Sequence, residues 1–164
     1  MVDLSLDANR VSRLVEATEA DAWIVVAGSG PVLDWFACQN FPTFTLFGGS
    51  RDRRFAGAGP NKNPAYRECV SALIELGHRR IVLLAKSQRR KPIPGDSEQT
   101  FLDALEEGGV EIGEYHLPDW SDRKEGLLSC LESLFKVTPP TALIIQEATV
   151  FAAVQQFLAN RGLK

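Results

Sequence analysis

Residues 81–85 read IVLLA, five apolar residues in succession. A strand with one face in water alternates apolar and polar side chains. This run does not, so both its faces are expected to be covered, as in a parallel sheet held between helices. The residues before it, LGHRR (76–80), set a histidine and two arginines at the mouth of that strand. Part of this charge has a local explanation. Upstream, Asn63 followed by Pro64 predicts a helix start, with Asn63 as its cap and Ala65, Cys69, Ala72, Leu73 and Leu76 along one face. Gly77 is placed to take the left-handed conformation that closes such a helix. His78, Arg79 and Arg80 then fall where open carbonyls and the negative end of the dipole favour cations.

The same alternation recurs along the chain. Asp7–Ala20 predicts an amphipathic helix with Val11, Leu14 and Val15 inward and Asp7 or Asn9 as cap. AWIVVA (22–27) and FPTFTLFGG (41–49) read as strands around a helix in VLDWFACQN (32–40), and RFAGAG (54–59) as a further short strand. Asp96 and Gln99 suggest a capping box for a helix that buries Phe101, Leu102, Ala104 and Leu105 and ends at Gly108-Gly109. A short strand near EYHLP (114–118) follows. Ser121 then caps a helix with Leu127, Leu128, Leu131, Leu134 and Phe135 on one side, TALII (141–145) is the next strand, and a last helix carries Val150, Val154, Phe157 and Leu158 to near Gly162. Strand and helix in alternation predict an α/β chain with an open parallel sheet.

Composition limits what such a chain does. With 164 residues, 45% of them hydrophobic, it suits one domain or two small lobes. A net charge of −3 argues against a surface built to neutralise a nucleic-acid backbone. Cys38, Cys69 and Cys130 are far apart, lack CxxC spacing and read as small core residues of a reducing compartment. No positive start precedes an apolar stretch, and no run approaches the ~20 apolar residues of a membrane span. The expectation is a soluble cytoplasmic protein with no membrane partner.

In open α/β sheets ligands bind beyond the carboxyl ends of the strands, which directs attention to the loops there. GSGP (28–31) lacks the spacing of either common nucleotide-binding glycine motif and reads as an ordinary tight turn. KSQRRKPIPGD (86–96) is a basic, proline-containing segment, either a lid over a ligand or a solvated loop. His78 and His116 have no partner at metal-ligand spacing, no serine lies in GxSxG, and no carboxylate pair stands out, so neither a metal, a cofactor nor a catalytic residue is expected. LPDWS (117–121) sets Trp120 beside Asp119. An exposed ring with a neighbouring acceptor suits a small polyhydroxylated molecule; the alternative is a ring packed beneath the following helix. IIQEAT (144–149) sets Gln146 and Glu147 at a strand end, as ligand contacts or, for Glu147, as a favourable charge at a helix start.

LIELGHRRIVLLA, FLDALEEGGVEI, PDWS and PPTALIIQEATVFAAVQQFLANRGLK together resemble the effector-binding domain of the lactose-repressor/galactose-repressor (LacI/GalR) family of bacterial transcriptional regulators. The resemblance is closest over about 63–164 and weaker over 11–62. It implies a three-layer, Rossmann-like, type I periplasmic-binding-protein fold, here as an incomplete two-lobed architecture, with residues 1–62 a partial first lobe and 63–164 the crossover and a partial second lobe. It also implies a sugar or nucleobase-like effector bound between lobes, a homodimer, and DNA binding through a helix-turn-helix domain not present in this chain. Trp120 matches a position where aromatic rings stack on sugar, and Gln146-Glu147 stands where the family has Asn-Asp. Ser97 stands where the family has an arginine, and the family's usual aspartate is replaced near Pro60-Asn61. The ligand contacts so implied are Asp119, Trp120, Gln146, Glu147 and Ser97. A solute-binding protein of the same fold, or a small phosphate- or nucleotide-binding α/β enzyme, is the alternative.

Overall fold

The computed structural model describes residues 8–47 and 54–163. The chain divides into two compact units, Met1–Asn61 and Lys62–Lys164.

In the first unit the elements run α1 (Ala8–Glu16), β1 (Trp23–Val26), α2 (Gly30–Ala37), β2 (Thr43–Leu46) and β3 (Ala56–Ala58). The strands are parallel in the order β1-β2-β3, with Trp23 opposite Thr43 and Phe44 opposite Ala56. Successive strand residues face opposite sides, so one side buries Thr45 and packs Trp23 and Val25 onto Val15, Val32 and Phe36 of the helices. On the other side Ile24, Val26 and Phe44 are exposed. The sheet is therefore half-covered among the described residues, although its sequence reads as apolar throughout. Trp35 and Phe36 meet edge to face at 5.0 Å, an arrangement that suits the ring quadrupoles.

Several local expectations are corrected here. The first helix is shorter than 7–20 because it stops at Glu16, its Leu14 is exposed, and Asn9 lies inside it rather than at its cap; Asp7 is outside the described residues. GSGP is a tight turn into α2, with Ser29 at the N-cap and a proline in the first turn. A Cβ at Gly28 would lie 2.8 Å from Val25 Cγ1 and 3.0 Å from Leu33 Cδ2, so this glycine lets strand and helix approach. Cys38 and Cys69 are exposed rather than core, and only Cys130 is partly buried.

The second unit contains α3 (Asn63–Glu75), β4 (Ile81–Leu84), α4 (Ser87–Arg90), α5 (Asp96–Glu107), α6 (Lys124–Val137), β5 (Ala142–Ile145) and α7 (Ala148–Asn160). β4 and β5 pair in parallel, Ile81 opposite Ala142 and Leu84 opposite Ile145. All four residues of β4 are buried. Ile81 and Leu83 pack with Tyr66 and Val70 of α3 and Phe101, Ala104 and Leu105 of α5; Val82 and Leu84 pack with Leu127, Leu131 and Leu134 of α6 and Val150, Val154 and Phe157 of α7. The result is a three-layer helix–sheet–helix arrangement, which accounts for the absence of polar alternation in IVLLA.

Of the basic residues at 78–80, His78 through its main chain and Arg79 through its side chain close α3, while Arg80 reaches the segment after α6. Gly77 has φ +88, its N–H donates to Ile74 O and that of His78 to Leu73 O, the pair of hydrogen bonds of a left-handed helix stop. Arg79 Nη1 donates to Ile74 O at 2.8 Å and His78 O at 2.9 Å, and Arg80 Nε to Pro139 O at 2.7 Å. Gly109 (φ +75) and Gly162 (φ +68) end α5 and α7 in the same way.

Other details differ from expectation. The buried face of α3 is Tyr66, Val70 and their neighbours Leu73 and Ile74, one residue round from the expected stripe, and Leu76 is exposed. Asn63, Asp96 and Ser121 are not side-chain caps. Lys62, Gly95 and Arg123 hold the cap positions, and Gln99 donates to Asp103 at 2.7 Å rather than closing a capping box. EYHLP forms a turn and no strand. It still lies against β4, because Leu83 N–H donates to His116 O at 2.8 Å and buried His116 places Nδ1 2.7 Å from Ile81 O.

Candidate functional site

The carboxyl ends of β4 and β5 open onto the segments 85–95 and 146–147, with 117–123 alongside. KSQRRKPIPGD is solvated over Lys91–Ile93, as one of its two readings expects, but is anchored at Arg90. Its first part is the single turn α4, and Arg90 is only 6% exposed. Arg90 Nε donates to Ala85 O at 3.0 Å, and its two terminal nitrogens donate to the Asp119 carboxylate and to Trp120 O. Lys91 forms a second ion pair with Asp119. The Lys91 ammonium, together with the Arg90 guanidinium, holds the Asp119 carboxyl below the usual carboxylate range. Ser87 donates from both its main chain, at 2.8 Å, and its hydroxyl to the Asp122 carboxylate.

Trp120 is not an exposed platform. At 7% exposure it packs with Leu127 and Leu131 under α6, with the Arg90 guanidinium 5.8 Å from its ring centre. Its indole N–H is buried without a hydrogen-bond partner. One edge of the residue borders a cleft of about 520 Å³ that is also lined by Ser87, Lys91, Asp119, Ser121, Asp122 and Arg123.

Gln146 and Glu147 diverge from the end of β5. Gln146 Nε2 donates to Glu98 Oε1 at 2.5 Å, and a side-chain hydrogen bond joins Gln146 to Tyr66. Burial raises the Tyr66 phenol, and the nearby Glu98 carboxylate adds to the rise. Glu98 is 1% exposed, so its bond to Gln146 satisfies a group that would otherwise be costly to bury. Glu147 pairs with Lys86 at 2.6 Å. Ser97 is joined elsewhere: its hydroxyl donates to Asn63 Oδ1 at 3.3 Å, and Asn63 donates to Asp96 at 2.7 Å.

The structure thus brings Asp119, Trp120 and Glu147 onto partners in 86–91, gives Gln146 to Glu98 and Tyr66, and leaves Ser97 with Asn63. Arg90, Glu98 and Tyr66 escaped the reading of the sequence. Glu98 carries a usable signal, since it precedes Phe101 and Leu105 at helical spacing and so belongs to the buried face. Arg90 carries none, for nothing in a run of four basic side chains marks the one that turns inward. Among the described residues no group of three His, Cys, Asp or Glu side chains is placed to hold a metal ion, and no helix is long and apolar enough to cross a membrane.

Comparison with known proteins agrees with this architecture. A family model described as a periplasmic binding protein-like domain matches residues 70–164, more than half of the chain. The chain belongs to that family. The periplasmic binding protein-like chain is similar in structure to a transcription regulator of Lactococcus lactis, with a TM-score of 0.77 at 15% identity over 99% of this chain and 60% of the other. It is similar also to a LacI-family regulatory protein of Chloroflexus aggregans, with a TM-score of 0.70 at 21% identity over 99% and 59%. A sugar-binding LacI-family regulator of Escherichia coli, solved with phosphate, gives 0.67 at 18% identity over 94% and 56%. At these identities the likeness is one of fold. The chain spans 54–60% of the length of eight of the solved chains it matches. No curated protein matches it in sequence.

Proposed function

We propose that the chain is the effector-sensing part of a LacI-type transcriptional regulator, taking a small molecule such as a sugar at the carboxyl ends of β4 and β5. The observation that carries the reading is the cleft of about 520 Å³ at that end of the second unit, bordered by Trp120 and by paired polar groups. A pocket lined by an aromatic residue and a few placed polar groups is the usual form of a small-molecule site. Asp119 and Trp120 are the contacts within the cleft, Gln146 and Glu147 the contacts at the end of β5, and Ser97 a marginal one. Dimerisation, and control of DNA binding by a separate helix-turn-helix domain, complete the reading and rest on likeness of fold. Ligand binding then acts by favouring one of two conformations that differ in affinity for DNA.

A thermal-shift screen of sugars, sugar phosphates, nucleobases and nucleotides, with mass followed by light scattering, tests the proposal. A ligand present at a hundred times its Kd adds about 2.7 kcal/mol. A concentration-dependent rise with a sugar or nucleobase, without turnover, is the expected result. A folded chain that responds to none of these, or that turns one over, contradicts it.

A further inference from the structure

Hydrogen-bond donors and carboxylates in the cleft come from two different segments. The donors belong to 86–91: the Ser87 N–H and hydroxyl and the Lys91 ammonium on the cleft wall, and the Arg90 guanidinium buried behind Asp119. The carboxylates belong to 119–122: Asp122 accepts both donors of Ser87, and Asp119 accepts from Arg90 and Lys91. Ser87, Lys91, Asp119 and Asp122 all line the cleft, with Arg123 a further cation on its wall. The two sides of the Arg90–Asp119 pair are unequal. The Arg90 side chain is 3% exposed and fixed by two main-chain carbonyls, whereas the Asp119 side chain is 61% exposed. A buried guanidinium requires a counter-ion, but nothing requires that the counter-ion be Asp119.

We infer that the cleft is an anion-recognition site whose donors are occupied, in the free chain, by Asp119 and Asp122, and that its ligand carries a carboxylate or phosphate group that displaces Asp119. Carboxylate and phosphate oxygens accept the same charge-assisted bonds from Arg and Lys, so either replaces Asp119 without loss of geometry at the cation. A neutral sugar hydroxyl is the weaker competitor for a site already holding an ion. Asp119 acts as an internal blocker that sets an affinity threshold for the incoming anion. The inference deepens the effector-binding reading by naming the ligand's charge, and it rests on that reading for the site.

The test is calorimetric titration of inorganic phosphate, glucose 6-phosphate and glucose into the native chain, Asp119→Asn and Lys91→Met at matched ionic strength. Lys91 is exposed, so K91M keeps the test open if D119N unfolds. Phosphate is expected to bind D119N about tenfold more tightly than the native chain and K91M about tenfold more weakly, each the equivalent of one charged contact. Tighter binding of glucose 6-phosphate than of inorganic phosphate identifies a phosphorylated small molecule as the source, and equal binding identifies free phosphate; both support the inference. Phosphate affinity unchanged in both variants overturns it, and glucose binding that none of the substitutions alters would do so while leaving the effector reading in place. Phosphate binding gained by D119N, on a chain that takes no compound of the wider screen, supports the masked anion site and counts against the effector reading.

Discussion

Replacing Arg90 by methionine is the most informative single change, because Arg90 joins the end of β4 to the segment before α6. Methionine retains most of the buried stem and removes the charge. Ala85 is 1% exposed and Trp120 7%, so the carbonyls of both residues lose a donor in surroundings poor in water. Each buried acceptor left alone costs about 1–3 kcal/mol. Removing the guanidinium also removes its own desolvation cost, which offsets part of that loss. The net expectation is a loss of roughly 2 kcal/mol, and for a unit of this size a fall in Tm on the order of 10 °C. Arg90→Lys should lose at least as much, since an ammonium stays buried but cannot fork to Ala85 O, Trp120 O and Asp119 together. Urea unfolding followed by the indole NMR signal of Trp120 reports the second unit alone, because Trp23 and Trp35 lie in the first. A midpoint for R90M within about 0.5 kcal/mol of the native value, the range of an ordinary surface change, would refute the reasoning, as would an R90K chain as stable as the native one.

Three further outcomes are expected. Gly77→Ala should cost about 1–2 kcal/mol because φ is +88 and the space around it is empty, so conformational strain alone is read; Gly113→Ala, with open space and no positive φ, is the control that leaves urea unfolding unchanged. The Asp119 carboxyl is held low in the folded chain, so its contribution is whole above its unfolded value of about 4 and is lost as pH falls through the lower folded value; acid unfolding of the native chain should therefore be steeper below pH 4 than that of D119N. Ellman's reagent should react quickly with exposed Cys38 and Cys69 and more slowly with Cys130, which is partly buried and whose thiol burial pushes up; equal rates at all three would contradict the burial of Cys130.

The parts of the fold that the sequence shows best are those where two local signals agree. IVLLA, with Gly77 before it, marks a doubly covered strand at the close of a helix, and both features are present. AWIVVA has the same apolar character but lies in a sheet with one face exposed, so continuous hydrophobicity reports strand and not coverage. Caps were less legible. Asn63 and Asp96 are good capping residues that instead bond each other, because the starts of α3 and α5 lie close together, a tertiary fact without local trace. In the candidate site the loops were found and the state of their side chains was not. Trp120 follows Asp119 in a polar loop, and only the packing of α6 shows that its ring turns inward. Arg90 and Glu98, the most deeply buried charges of the strand-end region, are buried through partners 29 to 48 residues away along the chain.

The measurement that bears most directly on the central claim is chemical-shift mapping of the isotope-labelled chain with the strongest ligand of the screen. The expected result is a saturable change at Ser87, Lys91, Gln146 and the Trp120 indole N–H, with the helix stops at Gly77, Gly109 and Gly162 undisturbed. Saturable binding that leaves those four signals in place and moves residues elsewhere would contradict the assignment of the effector site to the carboxyl ends of β4 and β5.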